Sequence, residues 1–191
     1  MIDGTQIRRF FHLASPIFLV YYLFPPQLSV DVTRYAITFL AVGTVMCAEL
    51  ARIGLGLQLF GMRAYEGDRM SAYAQGTLGL FLGLMFVDPR IVIPSMVGMA
   101  WIDPLCATAR QHGWPRAIPA VAYFALYLSI VTIFGAHDWP IRILFAGLAS
   151  LTAIAVEGPI LRYVDDDFLM LVAPMAVLTV ASLVLGPVAS V

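Results

Sequence analysis

Seven apolar runs, at roughly 10–27, 35–60, 71–87, 91–109, 117–135, 140–156 and 168–186, divide almost the whole chain between them. Each is close to the length of about 20 residues that carries a helix across the hydrocarbon core of a bilayer. In lipid a backbone N–H or C=O has no water to bond, so a run of this kind satisfies itself by coiling into a helix. The connections are short and leave no room for a soluble domain, and no internal repeat, linker or low-complexity segment is present. The reading is an all-α, polytopic transmembrane helix bundle of about seven spans, a single integral membrane domain over residues 1–191. Composition agrees: 61% of residues are hydrophobic, 12% are charged, and the mean hydropathy is +0.88. The N-terminal basic residues and apolar run have the outline of a signal peptide, but no small-residue cleavage site follows, which makes this stretch the first span.

The net charge of −1 excludes a nucleic-acid partner held by bulk electrostatics. All eleven basic residues are arginine, so a P-loop lysine and lysine Schiff-base chemistry are excluded as well. With seven spans the arginines sort by side. Arg8, Arg9, Arg63, Arg69, Arg110, Arg116 and Arg162 share the N-terminal side, whereas Arg34, Arg90 and Arg142 lie on the other, in short loops that also carry Asp31, Asp88 and Asp138. The positive-inside rule then places the N-terminus in the cytoplasm. The same sorting gathers Glu66, Asp68, Glu157, Asp165, Asp166 and Asp167 in cytoplasmic loops, with His12, Glu49, Arg52 and Asp103 near the cytoplasmic ends of their helices. A charge inside a span costs several kcal/mol unless it is paired or hydrated, so a polar cavity open to the cytoplasm is expected.

Each polar group has a plain reading beside a functional one. Glu49 and Arg52 are three residues apart on one helix face, as an internal ion pair or as a pair directed at substrate. Arg63 and Arg69 flank Glu66 and Asp68, either in a solvated loop or as a phosphate grip held by Glu66. Asp103 is placed to pair with Arg110 or Arg52, or to ligate Mg²⁺. His12 is an interfacial hydrogen-bonding group, a general base or a phosphate ligand; His112 and His137 fall in loops and carry no such reading. Asp165, Asp166 and Asp167 exceed what a helix cap needs, and adjacent carboxylates favour a divalent cation shared with a nucleotide. Cys47 and Cys106 have no metal-ligand spacing and read as small core residues. Gly54, Gly56, Gly79 and Gly83 read as points of close helix approach.

Five stretches together resemble the polytopic polyprenol kinase family, which includes dolichol kinase, phytol kinase and a CTP-dependent diacylglycerol kinase. IRRFFHL is similar to the family's basic pair followed by a histidine. AELAR and RAYEGDRMS are similar to its Glu-Arg and Arg-x-x-Glu-x-x-Arg segments, WIDPLCA to its Gly-Asp-x-x-Ala stretch, and VEGPILRYVDDDFLMLVAP to its terminal acidic segment and proline-bearing helix. The family's Gly-Lys-Lys-Thr phosphate segment has no counterpart in QHGWPRAIPA. The resemblance implies an Mg²⁺-dependent, cytoplasm-facing kinase that moves a phosphate from CTP, or another nucleotide, to the hydroxyl of a polyprenol, phytol or diacylglycerol-type lipid. Asp103, Asp165 and Asp166 would hold the metal. Arg9, Arg52, Arg63, Arg69 and Arg110 would bind nucleotide phosphate, and the base would be Asp166, Glu66 or His12. Glu49, Glu157 and Asp167 would support them. Two alternatives stay open: a cytidylyltransferase that makes a CDP-lipid, and a non-catalytic lipid-binding or transport relative.

Overall fold

A computed structural model describes residues 4–30, 32–58, 62–63, 66–134, 138–158 and 163–185, with side chains from residue 9 onward. Asp31, His137, Arg162 and the Arg8 side chain, all considered above, lie outside the described residues. Helix α1 (Gly4–Ala14) runs into a 3-10 segment (Ser15–Leu23), followed by α2 (Arg34–Gly54), α3 (Ala72–Phe86), α4 (Pro89–His112), α5 (Ala117–Ile133), α6 (Trp139–Val156) and α7 (Asp166–Leu185). Among the described residues there is no strand, only an isolated bridge between Gln27 and Thr33. Helices α2, α4, α6 and α7 are each long and apolar enough to cross a membrane, as an integral membrane protein requires. Helices α3 and α5 are equally apolar but shorter, at 15 and 17 residues.

The helix ends follow from local chemistry. Thr33, Ser71 and Asp88 cap α2, α3 and α4 by accepting from the backbone N–H groups of Ala36, Ala74 and Arg90. Pro89 stands at the first position of α4, and Gly113, at φ +66°, closes it in the left-handed conformation.

The first apolar run departs from the expected single helix. Pro16 has no N–H to return to the carbonyl of His12, and the Ser15 hydroxyl donates to that carbonyl instead, at 2.7 Å. The chain tightens there into nine residues of 3-10 helix, which rise about 2 Å per residue and so cover roughly 18 Å. The second run is also shorter than expected, ending at Gly54 rather than near 60, because Gly56 turns the backbone left-handed at φ +64°.

Helix α4 is the centre of the bundle. It packs against α1, the 3-10 segment, α3, α5 and α7, and it is the most enclosed of the four long helices. Met96, Met99, Ile102 and Cys106 of α4 join Tyr123 and Tyr127 of α5, Ala146, Ala149 and Ala153 of α6, and Met170, Leu171 and Met175 of α7 in one core. Helix α2 stands at the periphery, with Phe39, Leu40 and Leu50 facing outward. Its Cys47 is exposed, not a core residue as expected, whereas Cys106 is buried.

The glycines divide in the same way. A Cβ at Gly79 would lie 3.1 Å from Phe168 and Val172 of α7, and one at Gly83 would lie 2.9 Å from the Met175 sulfur, so both serve the α3–α7 contact. A Cβ at Gly54 or Gly56 would meet nothing within 4 Å; these two end a helix and do not admit a neighbour. Gly98 of α4 lies against the Tyr123 ring, which a Cβ would reach at 2.6 Å. Gly98→Ala is therefore expected to destabilise the bundle by about 1–3 kcal/mol, the usual cost of overpacking, and to lower the thermal midpoint in detergent. Gly54→Ala should leave that midpoint unchanged or slightly raised.

Candidate functional site

The polar residues at one end of the bundle form three connected arrangements. The first is a knot around Arg52. Its Nε and Nη2 donate to Glu49 at 3.0 and 2.9 Å, and its remaining donors reach the backbone carbonyls of Leu57, Glu66, Gly67 and Arg69. Glu49 also accepts from the Ser71 N–H at 2.5 Å. Both side chains are buried. One guanidinium thus folds the segment after α2 back onto that helix, using the planar fork that lysine lacks. Arg52 and Glu49 form the internal ion pair, and Arg52 is turned to this segment, not to the acidic residues of α7.

The second arrangement sets the acidic turn. Gln75, buried on α3, donates to the carbonyls of Met70 and Tyr163 and accepts from the Asp165 N–H at 2.7 Å. Arg63 reaches Asp165 at 2.9 Å and Asp166 at 3.8 Å. Glu66, also buried, accepts weakly from the Arg63 N–H at 3.4 Å. The Asp-Asp-Asp run is therefore held on its backbone by an amide and on its side chains by a guanidinium.

The third arrangement joins three elements distant in the chain. His12 of α1 lies with Nε2 at 3.3 Å from the Met99 carbonyl and 3.7 Å from Asp103 of α4, and with Nδ1 at 3.7 Å from Asp167 of α7. A carbonyl only accepts, so Met99 favours the proton on Nε2 and leaves Nδ1 as the acceptor. One ligand atom each from His12, Asp103 and Asp167 fall within 4.8 Å of one another, and the same holds for Asp165, Asp166 and Asp167. Asp167 belongs to both groups. The expected metal residues Asp103, Asp165 and Asp166 are thus divided among the described residues: Asp103 lies with His12 and Asp167, while Asp165 and Asp166 lie in the other group, within reach of Arg63.

A cavity of about 760 Å³ opens beside this cluster, within the usual range for a small-molecule site. Its walls are apolar and come from the 3-10 segment (Phe18), α2 (Ile37, Val45), α3 (Leu80, Phe81) and α4 (Met96). His12 and Asp167 line one part of it, and Arg34, Phe24 and Leu28 another.

The remaining candidates lie around this end. Arg110 is half-exposed near the end of α4 and pairs with the buried Glu157, and Asp103 lies beside His12. Arg9 is exposed on α1, and Arg69 is half-buried. Glu66 is in neither carboxylate group, which separates it from the two other candidate bases, Asp166 and His12. One contributor is missed by the reading of sequence alone. Gln75 gives one signal, an amide inside an apolar run.

No protein-family model, no curated protein and no solved structure matches this chain.

Replacing Gln75 by Leu keeps its bulk but removes the partners of the Asp165 N–H and the Tyr163 carbonyl. The expected cost is about 1–3 kcal/mol for the buried groups left unbonded. Hydrogen exchange should show faster labelling confined to the turn before α7, and unchanged labelling there would contradict the bracing role.

Proposed function

We propose that this chain is a membrane lipid-alcohol kinase of the polyprenol kinase type, a seven-span bundle with its N-terminus in the cytoplasm. It would transfer the terminal phosphate of a nucleotide, CTP by its resemblance, to the hydroxyl of a polyprenol, phytol or diacylglycerol-type lipid. The observation that carries this reading is the apolar cavity lined at one part by His12 and Asp167, since a long apolar substrate needs apolar walls for its chain and a proton acceptor at its hydroxyl. The 3-10 segment, α3 and α5, short as they are, complete the seven crossings in this reading.

In the proposed reaction the lipid hydroxyl lies at His12, whose Nδ1 takes its proton. The hydroxyl oxygen forms a bond to the terminal phosphorus as the bond from that phosphorus to its bridging oxygen breaks, releasing the nucleoside diphosphate. Asp167 beside Nδ1, and Asp103 beside Nε2, stabilise the imidazolium that results. The donor set also fits Mg²⁺, because two carboxylates from α4 and α7, with Asp166 adjacent, leave other positions to phosphate oxygens and water. When bound, Mg²⁺ supplies neutralisation of phosphate charge. Arg110, two turns beyond Asp103 on α4, together with Arg63, Arg69 and Arg9, supplies positive charge for the rest of the nucleotide.

The test is phosphate transfer from labelled CTP or ATP, with Mg²⁺, to a panel of prenols, phytol and diacylglycerol in detergent. A phosphorylated lipid is expected. His12→Gln and Asp103→Asn should each lower turnover by about 10²-fold or more, the range for loss of a general base, with the thermal midpoint preserved. Turnover within a few fold of the parent in His12→Gln would remove that residue from the reaction. Release of pyrophosphate with a phosphatidic-acid acceptor would assign a cytidylyltransferase instead, and nucleotide binding without any product would assign a lipid-binding protein.

A further inference from the structure

The part of the cavity lined by Arg34 carries polar groups that the phosphate-transfer reading does not use. Arg34 is the one permanent cation among the described residues that line it. Its Nη1 donates to the Phe24 carbonyl at 2.9 Å, and its guanidinium carbon sits 4.7 Å from the Tyr21 ring centroid and 5.3 Å from that of Tyr35. No described carboxylate forms an ion pair with it. Its Nε is enclosed and has no hydrogen-bonding partner among the described residues. The Tyr21 hydroxyl, on a cavity-lining residue that is only 8% exposed, faces the Arg34 guanidinium but gives its own proton to no described acceptor, and the hydroxyl of Tyr22, whose ring meets Tyr21 edge-on at 5.2 Å, likewise has no described partner. Nearby Thr38 is already satisfied by the Arg34 carbonyl. This corner therefore holds an enclosed cluster of donors, a positive charge and no described counterion. Buried groups of this kind are ordinarily bonded, which implies an acceptor supplied from outside the chain.

Depth selects the acceptor. Arg34 is the first residue of α2, whose 21 residues suffice to cross the bilayer, so it lies at the level of the lipid headgroups. A phospholipid phosphate is already at that depth. Its chain would enter a wall made of Phe18, Ile37, Ala41 and Val45, where the hydroxyls of Thr38 and Thr77 are already bonded to backbone carbonyls.

We propose that Arg34 and Tyr21 form a site for the phosphate of an anionic phospholipid from the leaflet on the Arg34 side, with one of its chains lying in the cavity. The Arg34 Nε and Nη2 present a fork suited to two phosphate oxygens, and the Tyr21 hydroxyl donates to the same group. An anionic headgroup is preferred to a zwitterionic one because it neutralises the guanidinium without bringing a second cation.

The site is tested without nucleotide, so its outcome is separate from that of the transfer reaction. Delipidated protein in mild detergent is titrated with phosphatidylglycerol or phosphatidylcholine, and bound lipid is counted by native mass spectrometry. The parent is expected to hold phosphatidylglycerol about tenfold more tightly than phosphatidylcholine, the value of one forked charge-assisted contact. Arg34→Gln should abolish that preference, and Tyr21→Phe should reduce it about threefold, as for one hydrogen bond. Should Arg34→Gln fail to fold, Tyr21→Phe still decides the hydroxyl, and Arg34→Lys, which keeps the charge but not the fork, should retain a weakened preference. Equal retention of the two lipids by the parent, or an unchanged preference in folded Arg34→Gln and Tyr21→Phe, overturns the proposal. Displacement of the lipid by millimolar inorganic phosphate overturns it too, since that would make the ligand a free anion.

Discussion

The close approach of α3 and α7 at Gly79 and Gly83 governs the depth at which the chain's acidic residues lie. Phe168, Val172 and Met175 fit where side chains on α3 would otherwise stand, so α7 is seated against α3 with its N-terminal turn level with Gln75. From there one amide holds the turn and Arg63 holds two of its carboxylates. Asp167, one residue further, stays close to these carboxylates and also reaches His12. A helix turns 100° per residue, so a run of three aspartates at a helix start can serve Arg63 and His12 at once.

The arginines of this molecule do two kinds of work, distinguished by burial. Arg52 is enclosed and has its donors matched to carboxylate and carbonyl oxygens, as a guanidinium in an apolar bundle must be. Arg110 and Arg63 keep one side open to solvent while pairing with Glu157 and Asp165, and retain access for a further anion. Arg34 belongs to neither kind. It is half-buried in an apolar wall with aromatic rings around it and an enclosed Nε that nothing described accepts from, and for that reason its surroundings point to a ligand.

The packing of α2 at the edge of the bundle has the widest functional consequence. Were α2 packed as closely as α4, its apolar residues would meet the 3-10 segment and the cavity would be filled. Instead, the 3-10 segment, drawn tight from Pro16 onward, presents Phe18 and Tyr21 to a space that α2 encloses from the far side. The cavity joins the histidine–aspartate cluster to a region lined by Arg34, and both proposed ligands depend on it.

Much of this architecture was legible in the sequence, because a bilayer allows few ways to bond a backbone and long apolar runs declare helices directly. The Glu49–Arg52 face and the gathering of charge toward one end follow from spacing and from the cost of isolated charge, and His12, Asp103 and the Asp run stand out as candidates for the same reasons. Which of these groups meet was decided by the tertiary structure. Asp103 has His12 beside it, Arg110 is paired with Glu157, and Asp167 joins the two carboxylate groups because helix rotation and depth, set by glycine contacts and by the 3-10 segment, determine where a side chain points. Local sequence carries a helix's period. It does not carry the angle at which one helix is turned toward another, and on that angle the cavity, the Gln75 brace and the Arg34 corner all depend.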